Sequence, residues 1–516
     1  MILRSAFRLG SAVAATALVA TGLIAAPVVS SPAEASTGAA STVNVMAPLW
    51  IDDWASDGPA WRSFVGSLAV ADAQGADAVA VDVWWGKTEP TRGDFDWAYY
   101  DKLFAAVRSA GLDLVPVMSF HQCGGNVGDS CSIPIPSFVW EPYQICGFVG
   151  WCSNVPVENY FVSEYGNTDR EAPSPWGVGN DRTLIDMRDF MNAFEAHYSS
   201  GATDFSAAFQ EITIGTGPAG ELRFPSYAAH DSKVAGNPAG YPNRGTFQSY
   251  TPAAIRSFAD WAVARYGSVA GVGTAWGIPG LVYTAISPPT DHERFIDSGS
   301  FHSIAYGRDF TRWYNDSLLQ HGREVMQQAI GAFDGALAAV PLGMKIPGVH
   351  WQTMASSPIQ RAPEVAAGLI HTDQDYNGTS TDHGYDGILN LVHDLDVNGD
   401  GMSPRHDIIL HFTALEMPDG REWDGGSHAY SDAASLVGWV AQAAGKAHVT
   451  LKGENALSGG LGSVGSASSV GWVHIRDAFA GTPSRYSGLT VLRMSDVTAS
   501  GSVARSEFER FIRDFG

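Results

Sequence analysis

The stretch "AVAVDVWW", residues 78–85, runs through four apolar residues before its first charge, Asp82, and closes on two tryptophans. A half-exposed strand would alternate apolar and polar side chains. A continuous run suits a strand covered on both faces, as in a parallel sheet. Seven further runs share this character: "VNVMAPLW" (43–50), "LDLVPVMSF" (112–120), "FQEITIGTG" (209–217), "MKIPGVHW" (344–351), "DIILHFTALEM" (407–417), "HVTLKGENA" (448–456) and "LTVLRMSD" (489–496). Between them, segments such as "PAWRSFVGSLAVADAQG" and "SDAASLVGWVAQAAGK" space apolar residues three and four apart, with glycine at or near several ends, the marks of amphipathic helices. Eight such units predict an α/β fold, a closed (β/α)8 TIM barrel whose long βα loops form the active-site face. A doubly wound open sheet is the alternative, usually with fewer strands. Residues 228–343 are too long for one crossover and predict extra helices and loops.

Residues 1–35 stand apart from this pattern. Arg4 and Arg8 precede an apolar run from Ser11 to Ala26, and "PAEAS" offers a small-residue cleavage site after Ala35. This predicts a secretory signal and an extracellular protein, with 36–516 as a single catalytic domain. A membrane anchor suits the run less well, because it is short of a full span. With 31 basic and 54 acidic residues and a net charge of −23, nucleic acid and anionic membrane are disfavoured as partners, and an uncharged substrate is preferred. Sixteen Trp and seventeen Tyr suit stacking on sugar rings as well as core packing. The four cysteines fall in two close pairs, Cys123 with Cys131 and Cys146 with Cys152. Export permits disulfides, and the spacing favours local pairing among three connectivities, without deciding between them. Neither pair has zinc spacing.

The apolar parts of the runs end on polar and aromatic groups: Asp82 with Trp84 and Trp85, His121, Glu221, His350 with Trp351, Thr413, Glu454 with Asn455, and Arg493. Such groups gathered at the C-terminal ends of strands mark a barrel active site. Glu221 in "GTGPAGELRFPSY" (215–227) and Glu454 in "GENAL" would then face each other across the mouth. Glycosidic cleavage needs two carboxyl groups, one to protonate the leaving oxygen and one to activate water or attack the sugar.

Together "VDVWWGKTEP", "MSFHQCGGNVGDSCSIPIPSFVW", "GPAGELRFPSY", "KIPGVHWQ", "FTALEM" and "GENALSGG" resemble β-amylase, glycoside hydrolase family 14, in family order and over nearly the whole chain after the signal. The resemblance implies an exo-acting, inverting hydrolase that removes β-maltose from the non-reducing ends of α-1,4-glucans such as starch, amylose and malto-oligosaccharides. It implies Glu221 as general acid, Glu454 as general base and Asp129 as the essential aspartate of a mobile loop bracketed by Cys123 and Cys131. Asp82, His121, Lys345, His350, Trp351, Thr413, Asn455, Leu457 and Arg493 match positions that contact or support substrate, and Arg493 is expected to orient Glu454 or a sugar. No cofactor is needed for the chemistry. A structural calcium is implied at Glu89, Asp94, Asp186 and Asp189, although two expected glutamates are here aspartates.

"DLDVNGDGMSPR" (394–405) follows the first half of a calcium-binding loop through Asp394, Asp396, Asn398, Gly399 and Asp400, but Arg405 replaces the bidentate glutamate at its twelfth position. A turn with side-chain hydrogen bonds is the preferred reading. "CGFVGWC" (146–152) reads as an insertion, and no segment resembles a starch-binding module. A monomer is expected. The alternatives left open are a retaining glycosidase with Glu454 as nucleophile and a glucan-binding protein without turnover.

Overall fold

The computed structural model describes residues 40–124, 131–146, 152–155, 158–177, 180–228, 231, 244–350, 361–373, 383–398, 406–420, 431–456, 460–463, 468–480 and 486–516, with the hairpin at 143–155 given by its backbone. All eight sequence-derived strands are present: β1 (Thr42–Met46), β2 (Ala78–Trp84), β3 (Asp113–Ser119), β4 (Ile212–Ile214), β5 (Leu342–Ile346), β6 (Ile408–Phe412), β7 (Thr450–Glu454) and β8 (Gly488–Val491). They pair in parallel, each with its sequence neighbours, and β1 pairs β8 through Thr42↔Gly488 to Val45↔Val491, which closes the barrel. The open-sheet alternative is thereby excluded. Every residue of β2 is buried, as its continuous apolar run required.

A helix follows each strand on the outside: α1 (Pro59–Gln74), α2 (Ala98–Ser109), α3 (Asn180–Tyr198), α4 (Ala305–Ala332), α5 (Asp386–Asn398), α6 (Ala433–Ala447), α7 (Val470–Ala480) and α8 (Val503–Phe515). The first begins where its sequence says it should. Pro59 sits at the first helical position, and the Asp53 carboxylate accepts the otherwise unpaired N–H groups of Ala60 and Trp61 at 2.9 and 2.8 Å. Buried Trp61, Phe64, Leu68 and Ala71, spaced three and four apart, form its inner face. The long segment between β4 and β5 does contain additional helices, among them Pro252–Tyr266, which Thr251 caps by accepting from Ala254 N–H at 3.2 Å.

One local expectation changes. Asp394 and Asp396 belong to α5, not to a turn. Asp396 accepts Ile408 N–H at 2.9 Å and Asp394 lies 3.6 Å from Arg323, while Gly399, Asp400 and Arg405 lie outside the described residues. At the ends of the 146–152 insertion, Tyr143–Cys146 pairs antiparallel with Cys152–Val155, and Cys146 and Cys152 are backbone partners. Their side chains fall outside the described residues, so the second pairing stays an expectation.

The barrel lumen is divided. On the side of β1 to β3, Met46, Ala78, Ala80 and Val115 form a small apolar cluster. On the side of β4 to β7, the lumen holds Glu211, Lys345, His411, Lys452 and Glu454, all buried and linked by ion pairs.

Candidate active site

The chain leaves β4 at Ile214 and does not run straight on. Residues 215–220 loop outward and return, so that Glu221 pairs with Lys345 of β5 in a parallel bridge and Leu222 N–H donates to the Lys345 carbonyl at 2.7 Å. Two glycines permit this path. A Cβ on Gly217 would stand 2.5 Å from the Glu221 carbonyl oxygen and 2.8 Å from that of Arg223. Gly220 has φ 79°, a left-handed conformation that glycine reaches without steric cost. The motif "GPAGE" therefore brings a carboxylate back to the barrel mouth instead of leaving it on a surface turn.

Glu221 is 9% exposed. Arg223 donates from Nε to its Oε2 at 2.8 Å, and Thr413, just past β6, donates to its Oε1 at 3.1 Å. Gly348 N–H in turn donates to Thr413 Oγ1 at 2.9 Å, which leaves the hydroxyl proton for Glu221. Arg223 is itself buried. It lies 3.8 Å from Glu171 and 4.1 Å from the Tyr227 ring centroid, so its guanidinium is held on several sides.

Glu454 ends β7 and is 3% exposed. Lys345 Nζ stands 2.7 Å from its Oε1. Burial alone would push the Lys345 ammonium down, but Glu454, Asp82 and Glu221 around it leave it raised, so it remains a cation. Lys345 thus joins the two glutamates: its backbone pairs with the Glu221 segment and its side chain holds Glu454.

The other expected substrate groups divide into those turned to the mouth and those used for scaffolding. Asp82 accepts from Ser119 Oγ at 2.9 Å, and burial raises its carboxyl against the opposing pull of Lys345 and Arg493. His121 packs edge-on to Trp84 at 5.2 Å. Burial first, then Arg223 and Lys345, bring its pKa down to about 3, so it is a neutral hydrogen-bonding group. His350 is half-buried, with Nδ1 3.3 Å from the Gly348 carbonyl. Asn455 is fully buried and pairs both ways with Leu492, donating to its carbonyl at 2.7 Å and accepting its N–H at 2.8 Å, which stitches β7 to β8. Arg493 Nη1 lies 2.9 Å from the Met46 sulfur and its charge opposes the rise of the Asp82 carboxyl, while Glu454 is held by Lys345. Trp85 is core, edge-on to Phe120 and Phe138. Asp129, Trp351 and Leu457 lie outside the described residues.

Cys123 and Cys131 are disulfide-bonded with their Cα atoms 5.6 Å apart. Just beside the bond, Cys123 and Ile133 exchange backbone hydrogen bonds at 2.9 and 3.0 Å. The neck of the 124–130 segment is therefore closed twice, once covalently and once by a strand-like bridge.

The residues expected to hold calcium do not fit that ion. Both oxygens of Asp186 accept from Arg92, at 3.0 and 2.8 Å, and Arg182 adds a third contact at 2.9 Å. Glu89 accepts from Trp85 Nε1 and Gly93 N–H, both at 2.7 Å. Asp94 and Asp189 are exposed. A guanidinium already supplies the positive charge that the ion would bring. Among the described residues, metal-ligating groups converge only at Glu164, His292 and Glu293, where Arg244 pairs with Glu164 at 2.6 Å.

Arg223, Glu211, His411 and Lys452 were not singled out by the sequence reading. Their signal is the two-residue period of a strand: each lies two positions from an inward-facing site residue, next to Glu221, Thr213, Thr413 and Glu454 respectively.

A (β/α)8 barrel with two buried carboxylates at its C-terminal mouth, each held by its own fixed donors, has the pair of groups that a glycoside hydrolase requires. The model of glycosyl hydrolase family 14 matches residues 44–516. The thermophilic beta-amylase of Thermoanaerobacterium thermosulfurigenes is 33% identical over 454 residues, 88% of this chain and 71% of that protein. The beta-amylase of Bacillus cereus is 34% identical over 448 residues, 86% and 70% of the two chains. The crystal structure of the catalytic domain of beta-amylase from Paenibacillus polymyxa superposes with a TM-score of 0.71 at 31% identity, covering 92% of this chain and 98% of that one. The chain belongs to glycosyl hydrolase family 14, and it is a glycoside hydrolase of the β-amylase type.

Proposed function

We propose that the protein is a secreted, monomeric, exo-acting enzyme that hydrolyses α-1,4-glucosidic links of starch and malto-oligosaccharides with inversion and releases β-maltose. Glu221 is the general acid and Glu454 the general base. The observation that carries this reading is the different support given to the two carboxylates. Glu221 is steadied at both oxygens, by Arg223 and Thr413, as suits a group that must present its proton in one direction. Glu454 is tied at Oε1 by the Lys345 ammonium, which leaves Oε2 to take a proton from water. Asp82 and His121 bind paired sugar hydroxyls, and Asp129 closes over bound glucan.

In the cleavage step, Glu221 protonates the glycosidic oxygen as the bond to the anomeric carbon breaks. Water attacks that carbon from the opposite face and gives its proton to Glu454, so the product emerges with inverted configuration. Proton NMR of the first product from maltopentaose, read before mutarotation, tests this. The expected result is β-maltose from the parent and a loss of about 10³-fold or more in rate for Glu221→Gln and for Glu454→Gln. An α-anomer would make Glu454 a nucleophile, and binding without turnover in the parent would make the protein a glucan binder.

A further inference from the structure

We infer that His411 is a positioning residue for the general base, an imidazole beneath Glu454 that receives the base's proton from below while Glu211 holds the ring in place. The inference rests on the assignment of Glu454 as base. In the barrel register His411 lies between Lys345 of β5 and Lys452 of β7. Its Nε2 hydrogen-bonds Glu211 Oε1, while Lys452 Nζ lies 2.9 Å from Glu211 Oε2. Glu211 is 1% exposed. Burial works to raise its carboxyl, but the hydrogen bonds from His411 and Lys452 and the charge of the Lys452 ammonium hold it below its ordinary value, so Glu211 is an anion that can only accept. Nε2 must therefore carry a hydrogen, and Nδ1 is the atom left over.

That atom is buried without a hydrogen-bond partner, and it stands 3.8 Å from Glu454 Oε1. A buried ring nitrogen left unpaired costs free energy unless some state of the site uses it. The proton transfer from water to Glu454 creates such a state. Once Glu454 has gained that proton on Oε2, a turn of its carboxyl group exchanges the two oxygens and brings the O–H to the side of Nδ1; transfer there restores the carboxylate and makes an imidazolium between Glu454 and Glu211. One O–H bond breaks, one N–H bond forms, and the net charge of the group is unchanged. When product leaves, the proton returns through Glu454 to solvent. The charged groups around the ring are Glu211 from the segment before β4, Lys345 from β5, and Lys452 and Glu454 from β7; Asp82 and Glu221 lie beyond Lys345. Gly343 of β5 makes the room, because a Cβ there would collide with Glu211 Oε1. Arranged this way, two carboxylates and two ammoniums balance, and the imidazole is free to change its charge with the reaction.

His411→Gln tests the proposal, since glutamine keeps a donor for Glu211 but has no atom that takes a proton. Because the base then loses its alternative proton site, the acidic limb of kcat/KM on maltopentaose should move up by about one pH unit. The alkaline limb should stay, KM should hold within about two-fold and kcat should fall about ten-fold. A folded His411→Gln protein with an unmoved acidic limb overturns the inference. A second measurement needs no His411 variant: in protein carrying 15N-labelled histidine, one imidazole should show a protonated Nε2 throughout and an Nδ1 signal that follows the acidic limb. Glu454→Gln should abolish that response, and identical histidine titrations in the parent and Glu454→Gln overturn the proposal. Turnover by Glu454→Gln would instead remove the base assignment itself, and the inference with it.

Discussion

At the scale of single residues, the site works by fixing carboxylates before substrate arrives. Arg223 is the clearest case: its guanidinium is immobilised by Glu171 and Tyr227, so its bond to Glu221 Oε2 needs no reorganisation during reaction. Lysine cannot reproduce this planar, multiply held arrangement. Arg223→Lys is expected to lower kcat on maltopentaose by about 10²-fold, with KM changed by less than about three-fold, because the interaction serves the transition state more than binding. Steady-state kinetics check it; a fall expressed only in KM would place Arg223 in substrate binding instead. Glu221 and Glu454 were legible in the sequence because each follows a recognisable apolar run. The residues beneath them were not. In a strand buried on both faces, the neighbours of His411, Leu410 and Phe412, are apolar alike, and Glu211 stands beside a second polar residue, Gln210, so composition does not reveal which side faces the lumen. That parity follows only once Glu454 is fixed as inward, and then Lys452 follows two positions earlier.

At the scale of elements, all eight strands could be read in advance, because parallel strands sealed under helices are continuous apolar runs. Their lengths were less legible. The run 209–217 yields only the three residues Ile212–Ile214 in β4, since the segment that Gly217 and Gly220 permit leaves the strand there and returns at Glu221. The surroundings of Asp186 were not legible either, because nothing in the acidic pattern announced that Arg92 and Arg182 would converge on it. The doubly closed neck at Cys123 yields a prediction of its own. A disulfide closing so short a loop contributes about 2–3 kcal/mol in the chain-entropy view, but the Cys123–Ile133 bridge keeps the neck shut without it. Cys131→Ser should therefore lower the thermal midpoint by roughly 2–3 °C, while KM for maltopentaose changes by less than about three-fold. Calorimetry and kinetics decide; a large rise in KM would show that the covalent staple itself sets the geometry of the segment.

At the scale of the whole molecule, buried titratable groups tie the fold to pH. His121 has its pKa lowered to about 3 from an ordinary value of 6.5. The unfolded chain therefore takes up a proton that the folded one refuses, and the stabilisation present above pH 6.5 is lost as pH falls from 6.5 towards 3. For this residue alone the slope approaches about 1.4 kcal/mol per pH unit. His121→Asn should flatten the parent's loss of stability between about pH 6 and 4, seen in urea titrations at a series of pH values. Equal slopes in both proteins would mean that His121 accepts a proton in the folded state. The divided lumen has a consequence of another kind, in how such a sequence can drift. Where Met46, Ala80 and Val115 meet, one apolar side chain can replace another of similar volume, and positions wander independently. Across the lumen, losing Glu211 or Lys452 strands a buried opposite charge, so accepted changes at these two positions must come together, while Lys345 and Glu454 are held by the chemistry itself. One barrel thus contains two regimes of inheritance: part of its interior can vary one site at a time, and part only as a linked pair.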